Sequence, residues 1–404
     1  MDKVNMSVAI LPMAHEFGWG PAVSGLVQSS FFWGYLLFQL PGGFLSSRFG
    51  GRNILPWGLG IQSFATAAVP LLAGTVPGLC LSRAAVGVGE AIAPSAAIDI
   101  LSRIMPPTER SRAVSFVFSG LHVGSVLGLL LGPIVISRYG WQPLFLLFGA
   151  LGLIWVAWFG TLMERIALED PQVALQMQPP VPWRAMLRNP PLQALMAVHF
   201  CNQWFHYTMM AWLPTYFVDT LSVDLMHASQ TALLPPLAAI AASAVAGSLA
   251  DTLISKGLAV GTVRKLAQGL AFLGPCTCLL AACYSEDSNV TVAAITAALG
   301  VSSFSLAGLY CTHGDMSPQY ASIMLSITKT PGAIPGIIGV PTVGFLFEQT
   351  QSWELSLFAP SMILMVVGAI IYTLGCRNEP VDFDSLDNSP FLLEKAWARL
   401  DKDE

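Results

Sequence analysis

The chain has 404 residues; 54% are hydrophobic and only 11% are charged, against roughly 25% charged in a soluble domain. That excludes a protein with much soluble mass, and the formal net charge of −5 argues against a nucleic-acid partner. Stretches free of Asp, Glu, Lys and Arg recur at 17–47, 53–82, 113–137, 139–163, 189–218, 225–250, 266–285, 288–314 and 355–376. Each reaches about 20 residues or more, enough for a helix to cross a hydrocarbon core of about 30 Å.

In chain order, apolar patterning predicts twelve helical spans, near 1–14, 22–45, 53–73, 76–100, 112–135, 142–163, 191–217, 228–250, 262–284, 289–313, 319–347 and 354–375. The first would rise only about 21 Å as a helix, which reads as a membrane helix lacking its beginning. No targeting segment is legible in front of it. The stretch 164–190 is polar and carries Pro171, Pro179, Pro180 and Pro182, so it reads as a linker. The expected organisation is a six-helix half over 1–163, this linker, a second six-helix half over 191–376 and a polar tail over 377–404.

Basic residues orient the spans. With the amino terminus on the positive side, that side holds Arg48, Arg52, Arg103, Arg110, Arg112, Arg165, Arg184, Arg188, Lys256, Arg264, Lys265, Arg377, Lys395, Arg399 and Lys402, and the other holds only Arg138. An internal echo supports the division. GFLSSR begins at Gly43 after the second span, and GSLAD begins at Gly247 after the eighth. Two related six-helix halves are the pattern of the major facilitator fold, an all-α membrane architecture whose substrate site lies between the halves near the bilayer midplane.

Three basic residues fall inside spans: Lys3, Arg83 and Lys329. A buried arginine costs about 2.5–3.5 kcal/mol on insertion scales, so it needs a wet cavity or a partner. In LSRAAVGVGEAIAP, residues 81–94, Arg83 and Glu90 share a helix face with Gly87 and lie about 10 Å apart along the axis. Arg83 either snorkels and bonds carbonyls or presents its planar fork to an anionic substrate. Glu90 is a proton or sodium coupling group, or a charge that balances Arg83. Lys3 is a second cation facing the cavity or a snorkelling residue. Lys329, in a segment with Pro331 and Pro335, is a third cation or a snorkelling one. Tyr35 and Gln28 are cavity candidates in the second span. His199, Asn202 and His206 share a face of the seventh, and a histidine such as His206 can titrate near neutral pH. Asp315, after the tenth span, is either a sodium ligand or a loop acid.

The seven cysteines read as small core residues, because Cys276 and Cys278 are too close for a usual zinc spacing and have no His beside them. No phosphate-cradling loop, metalloprotease motif or nucleophile elbow is present, so the chain does not read as an enzyme. No cofactor is expected beyond a coupling ion. The expected partners are a small anion and membrane lipid, with the protein as a monomer.

Several stretches resemble the anion:cation symporter family: MDKVNMSVAI at 1–10, SFFWGY at 30–35, QLPGG at 39–43 and PPTERSRA at 106–113. In the second half, WLPTY at 212–216, ADTLIS at 250–255, TVRK at 262–265, YCTHGDMSP at 310–318 and GAIPG at 332–336 are similar to its plant and algal plastid branch. That resemblance covers residues 1 to about 376. It implies sodium- or proton-coupled transport of inorganic phosphate across a plastid membrane, with ascorbate or another organic anion as the alternative and a non-transporting sensor as a further one. It also implies that Arg83 binds substrate with Glu90 as its acidic partner. Lys3 stands where the family usually has arginine, and Asn202 where the glutamate transporters have one. Lys329 stands where relatives tend to have asparagine. Arg48, Arg52, Glu109, Arg110, Arg112 and Asp251 fall in the family's gating loops, and Ser47 replaces the acid usual there.

Overall fold

The computed structural model describes residues 2–19, 21–169, 181–221, 231, 233–285, 287–376 and 380–383, and among these it is helical with no strand. The helices are α1 (Asp2–Phe17), α2 (Pro21–Phe49), α3 (Gly51–Leu72), α4 (Val76–Ile104), α5 (Pro107–Tyr139) and α6 (Gln142–Glu169). After the short α7 (Trp183–Arg188) come α8 (Pro190–Leu221), α9 (Leu234–Ser255), α10 (Val260–Tyr284), α11 (Ser288–Ser302), α12 (Leu309–Met316), α13 (Ala321–Thr350) and α14 (Ala359–Gly375). Nine helical stretches among the described residues are long and apolar enough to cross a membrane.

Local chemistry sets the ends. Thr75 caps α4 by accepting from the Gly78 amide at 3.3 Å, and Pro106 and Pro107 separate α4 from α5. α5 stops at Gly140, whose φ of 83° suits glycine. Large apolar side chains point outward, Leu71 at 85%, Phe116 at 79% and Leu374 at 80% exposed. Such a surface is costly in water and is satisfied by lipid.

α2, α3 and α4 pack on one another and α6 lies on α3; in the later part, α8 packs on α13 and α14, and α10 on α11. The main crossings that join the earlier helices to the later ones are α2 on α13 and α5 on α9, with α4 also touching α13. The two main crossings use the echoed glycines. A Cβ on Gly43 would fall 2.0 Å from the Ser326 hydroxyl, and one on Gly247 would fall 2.9 Å from Ser115. The sequence echo is therefore a matched pair of close crossings.

The tenth span stands as one stretch over Ser288–Met316, but it is not the single helix expected. α11 ends at Ser302, a 3₁₀ turn runs from Ser303 to Leu306, and α12 restarts at Leu309. The break contains no proline. Its cause is Gln268 of α10, whose side-chain oxygen accepts from the Leu309 amide at 3.0 Å, and against which Gly308 is pressed. A side chain from another helix takes over a bond that the helix would otherwise make. The expected linker is also partly helical, because α6 runs on to Glu169 and α7 forms within it, with Trp183 against Phe44 of α2 at 6.0 Å.

Candidate functional site: a mid-membrane charged row and a clamp at the positive end

The mid-membrane site rests on the contact of α2 with α4. A Cβ on Gly34 would lie 1.9 Å from the Ala84 carbonyl oxygen, and one on Gly87 would lie 2.1 Å from that of Phe31. Only glycine permits this approach. It places Arg83, 3% exposed, with its guanidinium carbon 5.5 Å from the centre of the Phe31 ring. Aromatic contacts continue from there. Phe31 meets Phe32 at 5.2 Å and Tyr35 at 5.6 Å, and Phe32 meets Tyr207 of α8 at 5.6 Å. Tyr35 hydrogen-bonds Tyr207 and lies within electrostatic reach of Glu90 and Tyr310. The Lys329 ammonium sits 5.8 Å from the Tyr310 ring centre. A row of rings thus runs from Arg83 on the earlier helices to Lys329 on the later ones. Cation–ring contacts of this length offset part of the burial cost but not all of it.

One hydrogen bond gives the depths. Ser95 of α4 and Ser326 of α13 meet at 2.6 Å. At about 1.5 Å per residue, Glu90 lies about 7.5 Å and Lys329 about 4.5 Å outward of that level, while Arg83 lies about 18 Å outward. Glu90 and Lys329 are nearly level; Arg83 is about two to two and a half turns further out.

The second cluster lies at the positive end. Arg110 donates to Asp315 Oδ1 at 2.7 Å, and Arg264 donates to Asp315 Oδ2 at 2.7 Å. Arg110 also reaches the carbonyls of Ser102 and Met105, each at 3.3 Å, and Arg264 reaches the Ser111 hydroxyl and the Ala307 carbonyl. Asp251 accepts from the amides of Ser111 at 3.2 Å and Arg112 at 2.8 Å, near the start of α5. Ser102 donates to the Pro318 carbonyl at 3.1 Å. Each of these groups except the Arg110–Ser102 and Arg110–Met105 bonds and the Arg264–Ala307 and Arg264–Asp315 bonds joins an earlier helix to a later one. The helices are closed together at the positive end.

The expected site residues divide accordingly. Arg83, Glu90, Tyr35 and Lys329 belong to the mid-membrane row. Arg110, Asp251 and Asp315 belong to the clamp, and Arg112 contributes its amide there; both Asp315 oxygens are held by arginines. Arg48 and Glu109 are exposed, with Arg48 over Phe49, and Arg52 is half-buried; none of these three side chains is in the clamp. Asn202 is buried and donates to Gln203 at 3.3 Å, while His206 is half-buried beside Phe205 and within electrostatic reach of His122. Lys3 lies on α1 and Gln28 on α2, with side chains outside the described residues.

Sequence reasoning missed Arg264, which it counted among the positive-side charges; it is fully buried inside α10. It also missed Phe31, Phe32, Tyr207 and Tyr310, because aromatic residues in an apolar helix carry no mark that separates cavity from packing. The GD pair in YCTHGDMSP was the available signal for an acid at a helix end.

Comparison with known proteins gives the family and the fold. The profile of the Major Facilitator Superfamily matches residues 1–340. The chain is 47% identical to "Probable anion transporter 6, chloroplastic" of Arabidopsis thaliana, across 96% of this chain and 78% of that protein. It is 38% identical to the "Sodium-dependent phosphate transport protein 1, chloroplastic" of the same plant, across 94% and 77%. It is 36% identical to that plant's "Ascorbate transporter, chloroplastic", across 94% and 73%. Among solved structures, the proton:xylose symporter XylE has a similar fold, with a TM-score of 0.73 at 15% identity across 95% of this chain and 96% of that one.

Proposed function

This chain belongs to the major facilitator superfamily and, within it, to the family of plant anion transporters, and from that membership we propose that it carries inorganic phosphate across a plastid membrane, driven by a cation. Buried Arg83 supports the anion part of this reading. A guanidinium held at membrane depth gains most from a ligand that accepts two parallel hydrogen bonds, and a phosphate or carboxylate does so. Glu90 is the cation-linked group, with sodium as the first ion to test. Its carboxylate lies between Arg83 and the level of Lys329, beside Tyr35, so a bound sodium ion or proton changes the field that the anion meets. The clamp of Asp315 with Arg110 and Arg264 holds the positive end shut while the site is loaded from the opposite side. The protein acts as a monomer, with no cofactor other than the coupling ion.

A second reading takes ascorbate as the anion, favoured by the 36% identity to an ascorbate transporter. Uptake of radiolabelled phosphate into proteoliposomes, competed by ascorbate, sulfate and glutamate with and without a sodium gradient, tests both. Phosphate accumulation that needs sodium and resists ascorbate supports the first reading. Strong competition by ascorbate supports the second, and absence of any accumulation refutes transport.

A further inference from the structure

The chain beyond α14 returns to the bundle. At residues 380–383 it runs against the loop between α12 and α13. The Val381 amide donates to the Met316 carbonyl at 2.8 Å, and the Phe383 ring, 1% exposed, meets the Tyr320 ring edge-on at 6.4 Å. Asp382 between them is exposed, so alternate residues of the segment turn inward, as in extended backbone. Phe383 shares one buried apolar cluster with Met316 and Tyr320. Burial of a phenyl ring offsets the ordering of so short a segment.

What the segment touches is the loop that carries the clamp. Met316 ends α12 directly after Asp315, and Tyr320 directly precedes α13. Within this short run, Asp315 takes Arg110 and Arg264, and the Pro318 carbonyl takes Ser102. The last carbonyls of a helix lack partners inside it, and the Val381 amide supplies one to Met316. The loop's own backbone bonds run from the Ser317 amide to the His313 carbonyl and from the Tyr320 amide to the Ser317 carbonyl, each at 3.2 Å. To these the tail adds a backbone bond and a buried ring. Both contacts are made to the later helices, whereas Arg110 and Ser102 belong to the earlier ones. The effect of the tail on how the two sets of helices meet therefore passes through the clamp.

We propose that residues 380–383 are a strap that preorganises the clamp, with Phe383 as its anchor and as a positioning residue for Asp315. To close the positive end, Asp315 and the Pro318 carbonyl must reach Arg110 and Ser102 together. A loop already held in that shape loses little freedom on closing, whereas a loose loop must be ordered at that moment. The strap thereby favours the closed positive end and sets how readily it opens. This inference rests on the role of the clamp given above and deepens it.

The test is maleimide alkylation of a single cysteine at Val114, in the purified full chain without its native cysteines. Val114 is 1% exposed and lies with Arg110 of α5 beside Tyr310, Cys311 and Gly314 of α12, so opening of the positive end uncovers it. Phe383→Ala removes the anchor ring, and Val381→Pro removes the amide donor. Each should raise the alkylation rate at least about fivefold, the scale of one net hydrogen bond. Phe383→Leu, which keeps an apolar side chain, should recover most of the protection. In a parallel background that keeps only native Cys276, buried about 24 Å along α10 from its positive end, the rate should not change. An unchanged rate at Val114 with a lower melting temperature would assign Phe383 to packing alone and overturn the proposal. Equal rises at Val114 and Cys276 would also overturn it, as a general loosening. Where Phe383→Ala yields no folded protein, Val381→Pro decides. Asp315→Asn, which acts on the clamp directly, should raise the Val114 rate as well. If it does not, the clamp reading fails and the strap falls with it, so this control tells the two failures apart.

Discussion

Arg110 of α5 and Asp315, near the end of α12, meet at 2.7 Å with both side chains almost wholly buried. The pair joins residues 205 positions apart and closes the positive end of the bundle. Arg264 takes the other carboxylate oxygen, so one acid holds two arginines. A buried ion pair adds little net stability compared with an apolar replacement, but removing one partner is expensive. In a transporter, that asymmetry suits a latch that must be either fully made or fully released.

Asp315→Asn should weaken the latch. Two buried arginines would then face a neutral amide, and the penalty of about 3–5 kcal/mol falls on the closed state. The readout is a disulfide between cysteines placed at Ser95 and Ser326, whose hydroxyls stand 2.6 Å apart, in a background without the native cysteines. Cross-linking should be efficient with Asp315 present and should fall sharply in Asp315→Asn. Equal yields would show that the latch does not set the closure.

Ser47 offers the reverse change. It sits one turn past Gly43, as Asp251 sits one turn past Gly247, and Asp251 accepts two amides of α5. Ser47→Asp should give the α2–α13 crossing a matching acid near the start of α13. Closure should strengthen, so the same Ser95–Ser326 cross-link should form faster and turnover should slow. Faster turnover with unchanged cross-linking would refute the symmetry.

Arg83 and Glu90 should separate binding from coupling. Arg83→Lys keeps the charge and loses the planar fork, so transport should fall sharply in a protein that still folds. Arg83→Ala should abolish phosphate binding. Glu90→Gln should lose gradient-driven uptake while retaining exchange of internal for external anion. Net uptake in Glu90→Gln that still follows the sodium gradient would remove Glu90 from coupling.

Two glycines should respond oppositely. A Cβ on Gly87 meets the Phe31 carbonyl oxygen at 2.1 Å, a backbone atom that cannot step aside, so Gly87→Ala should part α2 from α4 and lower both the melting temperature and transport. Gly60 of α3 has open space where its Cβ would stand. Gly60→Ala should be neutral, or stabilising by up to about 1 kcal/mol from helix propensity alone. Thermal unfolding in detergent checks both.

Single cysteines at Asn289 and Lys256 should label from opposite faces of the membrane. Asn289 stands at the start of α11 and Lys256 at the end of α9, and both are exposed. Labelling from one face would contradict the orientation read from the basic residues.

Most of the helices and their order were legible because lipid imposes a simple rule. A span must be long and apolar, so finding the charge-free stretches along the chain goes most of the way. Arg83 and Glu90 stood out for the same reason: a charge in an apolar helix is expensive enough to demand a purpose. The tertiary structure decided what a linear pattern cannot carry. Arg264 looked like a loop charge until the fold buried it against Asp315, and Tyr207 and Tyr310 looked like packing until Lys329 and Tyr35 were found beside them. The break before α12 depends on one side-chain oxygen of Gln268, which lies 41 residues away in sequence from the amide it accepts. Local composition sets the free energy of placing each helix in the membrane; which buried polar groups meet is set by contacts between helices, and these exist only once the backbones have closed on their glycines.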